Sequence, residues 1–271
     1  MKLLATIIIV IGMSVGAWFL LSQQNEPVSA PQATVTPTTP STIIPSLPVP
    51  QKTTSEEPKP SNTPTVPSSE DTSSTNMIPA SVVLKDVHFA SQAPLKNWDY
   101  PYQEFCEEAA SLIAAFYALG KTIPGPDGVN AELFRIKEFE EKEFGFYEDT
   151  TAQETTRILK EFYGLTDVTL MQNPSLEDIK SQLAQGKAIM VPTAGRMLGN
   201  PYFKAPGPLY HMIVLKGYTS SGYFITQDPG TNTKGENYTY KFSVIMNAMH
   251  DWNGGDVNNG AKVVIAVGKQ K

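Results

Sequence analysis

Residues that bind metals or form cross-links are scarce in this sequence, which has one cysteine and three histidines in 271 residues. A single cysteine excludes a disulfide within the chain, and these side chains do not supply the usual cysteine- and histidine-rich zinc site. The formal net charge is −6 and the lysines are scattered, so no basic patch indicates a nucleic-acid partner. We therefore expect no metal, no other cofactor and no bound nucleic acid.

The composition is uneven along the chain and divides it into three segments. Residues 3–21 form an uncharged apolar run, and 12 of the 22 prolines lie between Pro27 and Pro79. The remainder, residues 81–271, carries 18 Lys and Arg against 22 Asp and Glu, together with all three histidines. The sequence thus predicts an N-terminal segment at 1–22, a linker at 23–80 and one folded domain at 81–271.

The apolar run at 3–21 has the length of a membrane-spanning helix. As an α-helix it extends about 28 Å, close to the thickness of the hydrocarbon core of a bilayer. A cleaved signal peptide is the alternative, but the run is longer than a usual signal core and ends in WFLL instead of small residues. Lys2 is the only charge before it, so the positive-inside rule predicts a cytoplasmic N-terminus. We expect a single-pass anchor in the cell membrane, with the C-terminal domain outside the cell.

Residues 23–80 have the composition of a disordered linker. They contain 12 Pro, 11 Thr and 9 Ser and no aromatic residue. Such a segment cannot bury enough apolar surface to offset its chain entropy. We expect it to hold the domain away from the membrane, at a distance between about 45 Å as a coil and about 180 Å as polyproline II.

Helical patterns come first in the domain and strand patterns come later, which predicts an α+β fold. Apolar periodicity and capping pairs indicate helices at 104–119, 130–144, 151–163, from 175 onward, and at 243–249. Runs rich in β-formers indicate strands at 82–90, 188–192, 211–218, 222–227, 238–242 and 262–267. The helix at 104–119 is apolar almost all round, so we expect it to be buried at the centre of the domain.

The single cysteine, Cys106, lies in the first turn of this central helix. A free cysteine is often no more than a small buried hydrophobic residue. The unpaired N–H groups and the dipole at a helix N-terminus, however, favour a thiolate. An unpaired thiol in a domain expected outside the cell is also typical of a reactive residue. Cys106 is therefore a candidate nucleophile whose position is expected to lower its pKa.

A nucleophilic cysteine requires a base, and the base requires a group that orients it. His211 opens the predicted strand at 211–218, and Asp228 follows the next predicted strand. If these strands pair as a hairpin around 220–222, both residues lie at the same end of the sheet. We interpret His88, in the first predicted strand, and His250, at the end of a short helix, as structural or surface residues. The order Cys, His, Asp is that of papain-like enzymes.

Three segments of the domain resemble the peptidase C-39-like family, papain-like cysteine peptidases related to those that process double-glycine leaders of bacteriocins. They are HFASQAPLKNWDYPYQEFCEEAASLIAAF, GKAIMVPTAGRMLGNPYFKAPGPLYHMIVLKGY and YFITQDPGT, and the similarity extends over residues 82–268. The chain resembles stand-alone, extracytoplasmic members, because it has no G-x-x-x-x-G-K-[ST] motif. The resemblance implies a papain-like fold, in which a buried helix carries the cysteine and an antiparallel sheet carries the histidine and the acid.

The resemblance also implies a role for each matching residue. By position, Cys106 is the nucleophile, His211 is the base, and Asp228 orients the imidazole. A glutamine upstream of the cysteine is the oxyanion donor, which matches Gln92, with Gln103 as the alternative. These positions imply acyl transfer through a thiolate.

Three functions remain open on the sequence alone. The leading hypothesis is a membrane-anchored cysteine peptidase at the bacterial cell surface, which acts on a peptide or protein substrate. The second is a cell-wall peptide amidase or endopeptidase with the same triad, which differs only in its substrate. The third is a non-catalytic surface-binding module that keeps the fold. The reactivity of Cys106 separates the third hypothesis from the other two.

Overall fold

The computed structural model describes residues 77–270, which belong to one compact unit of the chain. The predicted anchor at 1–22 and nearly all of the predicted linker at 23–80 lie outside the described residues. Within residues 77–270, no helix combines the length and the hydropathy that a bilayer crossing requires. The anchor and the linker therefore stay predictions from the sequence.

A seven-stranded antiparallel sheet forms the centre of the described domain. Its strands are β1 (Val82–Val83), β2 (Val168–Gln172), β3 (Ala188–Ala194), β4 (Tyr210–Tyr218), β5 (Tyr223–Gln227), β6 (Glu236–Lys241) and β7 (Val263–Val267). The strand order is β2-β7-β3-β4-β5-β6, and β1 pairs with the last two residues of β4. The strand β4 thus lies in the interior of the sheet, between β3 and β5.

Five α-helices occur in the described part of the chain. They are α1 (Cys106–Ala118), α2 (Pro126–Glu143), α3 (Ala152–Arg157), α4 (Leu176–Ala184) and α5 (Phe242–Ala248). A 3-10 turn at Tyr102–Glu104 precedes α1, and a π-helical turn at Ile158–Phe162 continues α3. The helices α3 and α4 begin at capping boxes, in which the cap side chain and the third helical residue satisfy each other's backbone N–H groups.

The sheet is buried on both faces, which explains why its central strands are continuous apolar runs. The helix α1 packs on one face, mainly against β3, β4 and β7. The core on that face contains Ala110, Ile113, Met190, Met212, Val214 and Ile265. The core on the opposite face contains the alternate strand residues with α4 and α5, namely Ile179, Leu183, Ile189, Ile213, Val264 and Ile245. The strand β4 is therefore packed from both faces, and α1 is held against one of them.

The α+β prediction is confirmed, and the differences from it are element boundaries and one additional strand, β2. The hairpin of β4 and β5 forms as expected, with Val214 opposite Gln227. The predicted first strand at 82–90 is too long, because pairing with β4 ends after Val83. The strand β2 was missed, since only its first residue, Val168, is fully buried and it pairs on one side only. The central helix begins at Cys106, two residues later than predicted.

Two carboxyl groups are buried against each other where α1 meets α2. Glu108 and Glu140 are both 0% exposed, and outside the pair none of their four carboxyl oxygens has a hydrogen-bond partner among residues 77–270. Burial, together with the nearby charge of Glu107, raises the pKa of Glu140 to about 9. Burial and the charge of Glu140 raise the pKa of Glu108 well above its usual range. Both groups therefore stay protonated at a pH where the unfolded chain has lost those protons.

We expect the free energy of unfolding to fall as the pH rises from 5 to 8. An unfolded glutamate ionises near pH 4.3, so in this range the folded state holds more protons than the unfolded state. Each such group lowers the free energy of unfolding by about 1.4 kcal/mol per pH unit. Glu140→Gln removes one of these two groups. The free energy of unfolding of this variant, measured in urea at pH 5, 6.5 and 8, should therefore fall less steeply with pH than that of the wild type. Glu138→Gln, an exposed site on the same helix, is the control, and an unchanged slope in Glu140→Gln would contradict the assignment.

Candidate active site

Cys106 is the first residue of α1 and lies at the floor of a cleft. Phe105, which precedes it with a non-helical φ of −90° and ψ of 29°, is fully buried and packs edge-on against Phe134 and Tyr147. This anchoring fixes where the helix begins. The thiol is 6% exposed, and its Sγ donates a hydrogen bond to Glu107 Oε2 at 2.9 Å.

The surroundings of the thiol raise its pKa instead of lowering it. Burial is the largest cause, the charge and the hydrogen bond of Glu107 add to it, and the N–H of Met212 acts weakly in the opposite direction. The expectation that the helix start lowers the pKa of Cys106 is therefore wrong for this arrangement. A helix dipole contributes less than the loss of water and a carboxyl group at 2.9 Å. The resting Cys106 is a thiol that donates a hydrogen bond to Glu107 Oε2.

Glu107→Gln is expected to shift the alkylation of Cys106 by iodoacetamide to lower pH. The glutamine keeps an oxygen that accepts from the thiol and removes the charge that opposes ionisation. Alkylation follows the thiolate fraction, so a fall of one pKa unit gives about a tenfold higher rate below the inflection. The measurement is the labelling rate between pH 6 and 10, with Glu138→Gln as control. Superimposable profiles would mean that Glu107 has no part in holding the thiol.

His211 is the second residue of β4 and is 1% exposed. Its Nε2 lies 2.7 Å from Asp228 Oδ1, at the end of the neighbouring strand β5. Phe203 packs edge-on against the imidazole, with the ring centroids 5.2 Å apart. A Cβ added to Gly230 would lie 2.8 Å from both His211 Cε1 and Phe203 Cε1, so only glycine fits there. The imidazole packs against both residues and lines the same cleft as Cys106.

Asp228 is fully buried and accepts four hydrogen bonds. Its Oδ1 accepts from His211 and from the N–H of Gly230 at 3.0 Å, and its Oδ2 accepts from Asn200 Nδ2 at 3.0 Å and from the Tyr240 hydroxyl at 2.6 Å. Burial alone raises the pKa of Asp228, but the charge of His211 and these hydrogen bonds outweigh it and lower the pKa. Asp228 is thus an ionised acceptor, and a neutral His211 that donates to it from Nε2 has Nδ1 free.

Asn200 and Tyr240 were not found by the sequence reasoning. Asn200 lies in the long loop before β4, and Tyr240 lies in β6, for which the sequence predicts only a strand at 238–242. Asn200 Nδ2 also donates to the Tyr240 hydroxyl at 2.8 Å, so the two residues support each other as well as Asp228. No sequence pattern connects them to Asp228, because both contacts depend on how the strands and the loop pack.

Gln92 lies in the cleft wall but has no free N–H for an oxyanion. Its Nε2 donates to the carbonyl oxygens of Tyr102 and Gln103, both at 3.0 Å, and its backbone N–H donates to the carbonyl of Pro229 at 3.1 Å. It therefore ties the turn before Cys106 to the turn after Asp228. The alternative, Gln103, has an exposed side chain that also lines the cleft.

The cleft has a volume of about 910 Å³, and its two walls come from different segments of the chain. One wall comes from the segments around Trp98, Cys106 and Asp149, and the other from the loops at 202–211 and 230–234. Cys106 and His211 both line the cleft, and the backbone N–H of Met212, next to His211, lies within hydrogen-bond reach of the Cys106 sulfur. Across residues 77–270, no group of three or more His, Cys, Asp or Glu is arranged to hold a metal ion. The cleft is large enough for several residues of an extended peptide.

The other two histidines do not line this cleft. His88 is exposed. His250 is buried, and its Nδ1 donates to the carbonyl of Gly260 at 2.8 Å while Lys262 Nζ donates to its Nε2 at 3.2 Å. Both nitrogens of His250 are thus occupied by structural contacts.

Comparison with known proteins gives a family for the chain. Among curated proteins, none matches it. A crystal structure from Bacillus anthracis, assigned provisionally as a C39-like peptidase, is similar with a TM-score of 0.46 and 14% sequence identity, over 70% of this chain and 98% of that one. The model of the Peptidase_C39 like family matches residues 84–254, which include every residue of the cleft described above. Because this match spans more than half of the sequence, the chain belongs to the Peptidase_C39 like family.

Proposed function

We propose that the domain is a cysteine peptidase that hydrolyses peptide bonds through Cys106, His211 and Asp228. The observation that carries the proposal is the pair of His211 and an ionised, four-fold hydrogen-bonded Asp228, in which His211 lines the same cleft as a buried thiol at a helix start. Membership of the Peptidase_C39 like family supports the same reaction class. A catalytic thiol and imidazole require a third group that orients the imidazole, which is the role proposed for Asp228.

The reaction begins when the Cys106 thiol transfers its proton to His211 Nδ1. The resulting thiolate attacks the peptide carbonyl carbon, and the carbonyl electron pair moves to the oxygen. When the tetrahedral intermediate collapses, the C–N bond breaks and the amine takes the proton from Nδ1. Water then attacks the thioester, its proton passes to Nδ1, and release of the acid returns the proton to the sulfur. Asp228 keeps its hydrogen bond to Nε2 throughout and stabilises the imidazolium.

The oxyanion is stabilised by the backbone N–H of Cys106, because the first N–H groups of a helix have no partner within it. A second donor comes from a glutamine. Gln103 reaches the cleft with an exposed side chain, whereas Gln92 must first give up a bond to Tyr102 or Gln103. Loss of one oxyanion donor costs about 10²-fold or more in rate.

The test of the function is hydrolysis of a mixed peptide library by the full chain, with cleavage sites identified by mass spectrometry. We expect cleavage by the wild type and no cleavage by His211→Ala. Equal cleavage by both proteins would contradict the proposed base. No cleavage by either, at a protein concentration that labels Cys106 with iodoacetamide, would favour a binding module that keeps the fold.

We further propose that residues 1–22 anchor the protein in the cell membrane and that residues 23–80 hold the domain outside the cell. The support is the uncharged run at 3–21 and the Pro, Thr and Ser content of 23–80. Protease treatment of intact cells should release a fragment that contains Cys106. Protection of that fragment until the cells are lysed would reverse the proposed orientation.

A further inference from the structure

The two walls of the cleft differ in charge. The wall that holds Cys106 carries Asp99, Glu104, Glu107 and Asp149, whereas the opposite wall carries Lys204 and Lys234. In residues 77–270, none of these four acidic residues forms an ion pair with a lysine or arginine. The carboxyl groups next to the thiol therefore lack a cationic partner within the domain.

One of these carboxyl groups is buried without its full set of hydrogen bonds. Glu107 is 1% exposed and lines the cleft, and its Oε1 has no hydrogen-bond donor among the described residues. Gln92 Oε1, in a side chain 4% exposed on the same cleft, also lacks a donor. Buried acceptors without donors are rare in folded proteins and cost free energy. The cleft floor thus has acceptors that a donor-rich ligand would satisfy.

The acidic side chains are close enough to affect one another. Burial and the charge of Asp149 raise the pKa of Glu107 to about 8. Burial and the charges of Glu104 and Glu148 raise the pKa of Asp149 to about 6. Mutual repulsion of this kind is relieved when a cation binds between the carboxylates.

We propose that Glu104, Glu107 and Asp149 form a subsite for the positively charged side chain of a lysine or arginine next to the scissile bond. The proposal rests on the peptidase function and deepens it. The position of the subsite follows from Glu107, because its Oε2 lies 2.9 Å from the Cys106 Sγ that attacks the carbonyl carbon. Because successive residues of an extended peptide are about 3.3 Å apart, the residue beside Glu107 adjoins that carbonyl.

Occupation of this subsite also changes the state of Cys106. A cation binds at Glu107 Oε1, the oxygen without a donor, while the thiol donates to Oε2 of the same carboxyl group. The charge that opposes ionisation of the thiol is then offset. Transfer of the thiol proton to His211 becomes easier, so a basic side chain prepares the nucleophile as it binds.

Arginine and citrulline have nearly the same shape and differ in charge, which makes them a matched pair of probes. We expect the full chain to cleave library peptides next to Arg or Lys, and to prefer an Arg peptide over its citrulline analogue by tenfold or more in kcat/KM. Asp149→Asn should reduce this preference to less than about threefold, because the asparagine keeps the positive φ of 51° and removes the charge. Glu138→Gln, on the exposed face of α2, should keep the full preference.

Binding of N-acetylarginine amide, followed by NMR, separates this inference from the peptidase function. Cleavage without any preference for Arg over citrulline would overturn the subsite and leave the function standing. Binding that weakens in Asp149→Asn, in a protein that cleaves nothing, would support the subsite and overturn the function. Absence of both cleavage and binding would overturn both proposals.

Discussion

Cys106→Ala is expected to reduce kcat/KM for peptide hydrolysis by about 10⁴-fold or more, because it removes the sulfur that forms the acyl-enzyme. The only cysteine of the chain is the one replaced. His211 and Asp228 then remain as a base and its support without a nucleophile to act on. The measurement is steady-state hydrolysis of a fluorogenic peptide chosen from the library cleavage sites.

The fold of this variant should be nearly unchanged, which makes the loss of activity specific. Alanine fits the first position of α1, and the side chain removed is a single sulfur atom at a site 6% exposed. The thermal unfolding midpoint should stay within a few degrees of the wild-type value, since such truncations cost about 1 kcal/mol. Residual activity above about 1% of wild type in a folded Cys106→Ala protein would exclude Cys106 as the nucleophile.

Asp228→Asn is expected to lower kcat by about 10³- to 10⁴-fold at neutral pH. All four partners of the carboxylate donate hydrogen bonds to it. An asparagine NH₂ group must therefore meet a donor on one side. If it faces His211, it forces the proton onto Nδ1, where the imidazole can no longer take the thiol proton. If it faces Asn200, the hydrogen bonds that Asn200 and Tyr240 donate to residue 228 are lost.

Tyr240→Phe is the matched control for this prediction. It removes the 2.6 Å hydrogen bond to Oδ2 but leaves the contacts of Oδ1 with His211 and Gly230. We expect a loss of less than about tenfold in kcat. We also expect a loss of roughly 1–3 kcal/mol in stability, because Oδ2 keeps only Asn200 as a donor and Asn200 loses the hydroxyl as an acceptor. Equal losses of kcat in both variants, at equal folded fractions, would contradict the role given to the Oδ1 contact with the imidazole.

The positions of Cys106, His211 and Asp228 could be predicted from the sequence because each depends on local patterns. The helix start and the hairpin of β4 and β5 are marked by short-range signals of apolar runs and turn residues. The structure puts His211 and Asp228 at the same sheet end and within 2.7 Å of each other, as the hairpin register requires. Their roles in catalysis stay predictions until activity is measured.

The state of the thiol could not be predicted, because it depends on burial and on one rotamer of a neighbouring side chain. The sequence places Glu107 next to Cys106 but does not show that its carboxyl group turns back to the sulfur. The occupied amide of Gln92 is a similar case, since its carbonyl partners lie 10 and 11 residues away. Such contacts arise from packing of loops, for which sequence periodicity carries no signal.

A crystal structure of the protein with a peptide aldehyde bound is the most direct test of the central claim, that Cys106 attacks the substrate carbonyl with support from His211 and Asp228. The account predicts a covalent bond between Cys106 Sγ and the aldehyde carbon. It also predicts His211 Nδ1 within hydrogen-bond distance of the adduct and Nε2 still bonded to Asp228. An unreacted aldehyde in the cleft, with the thiol still donating to Glu107, would contradict it.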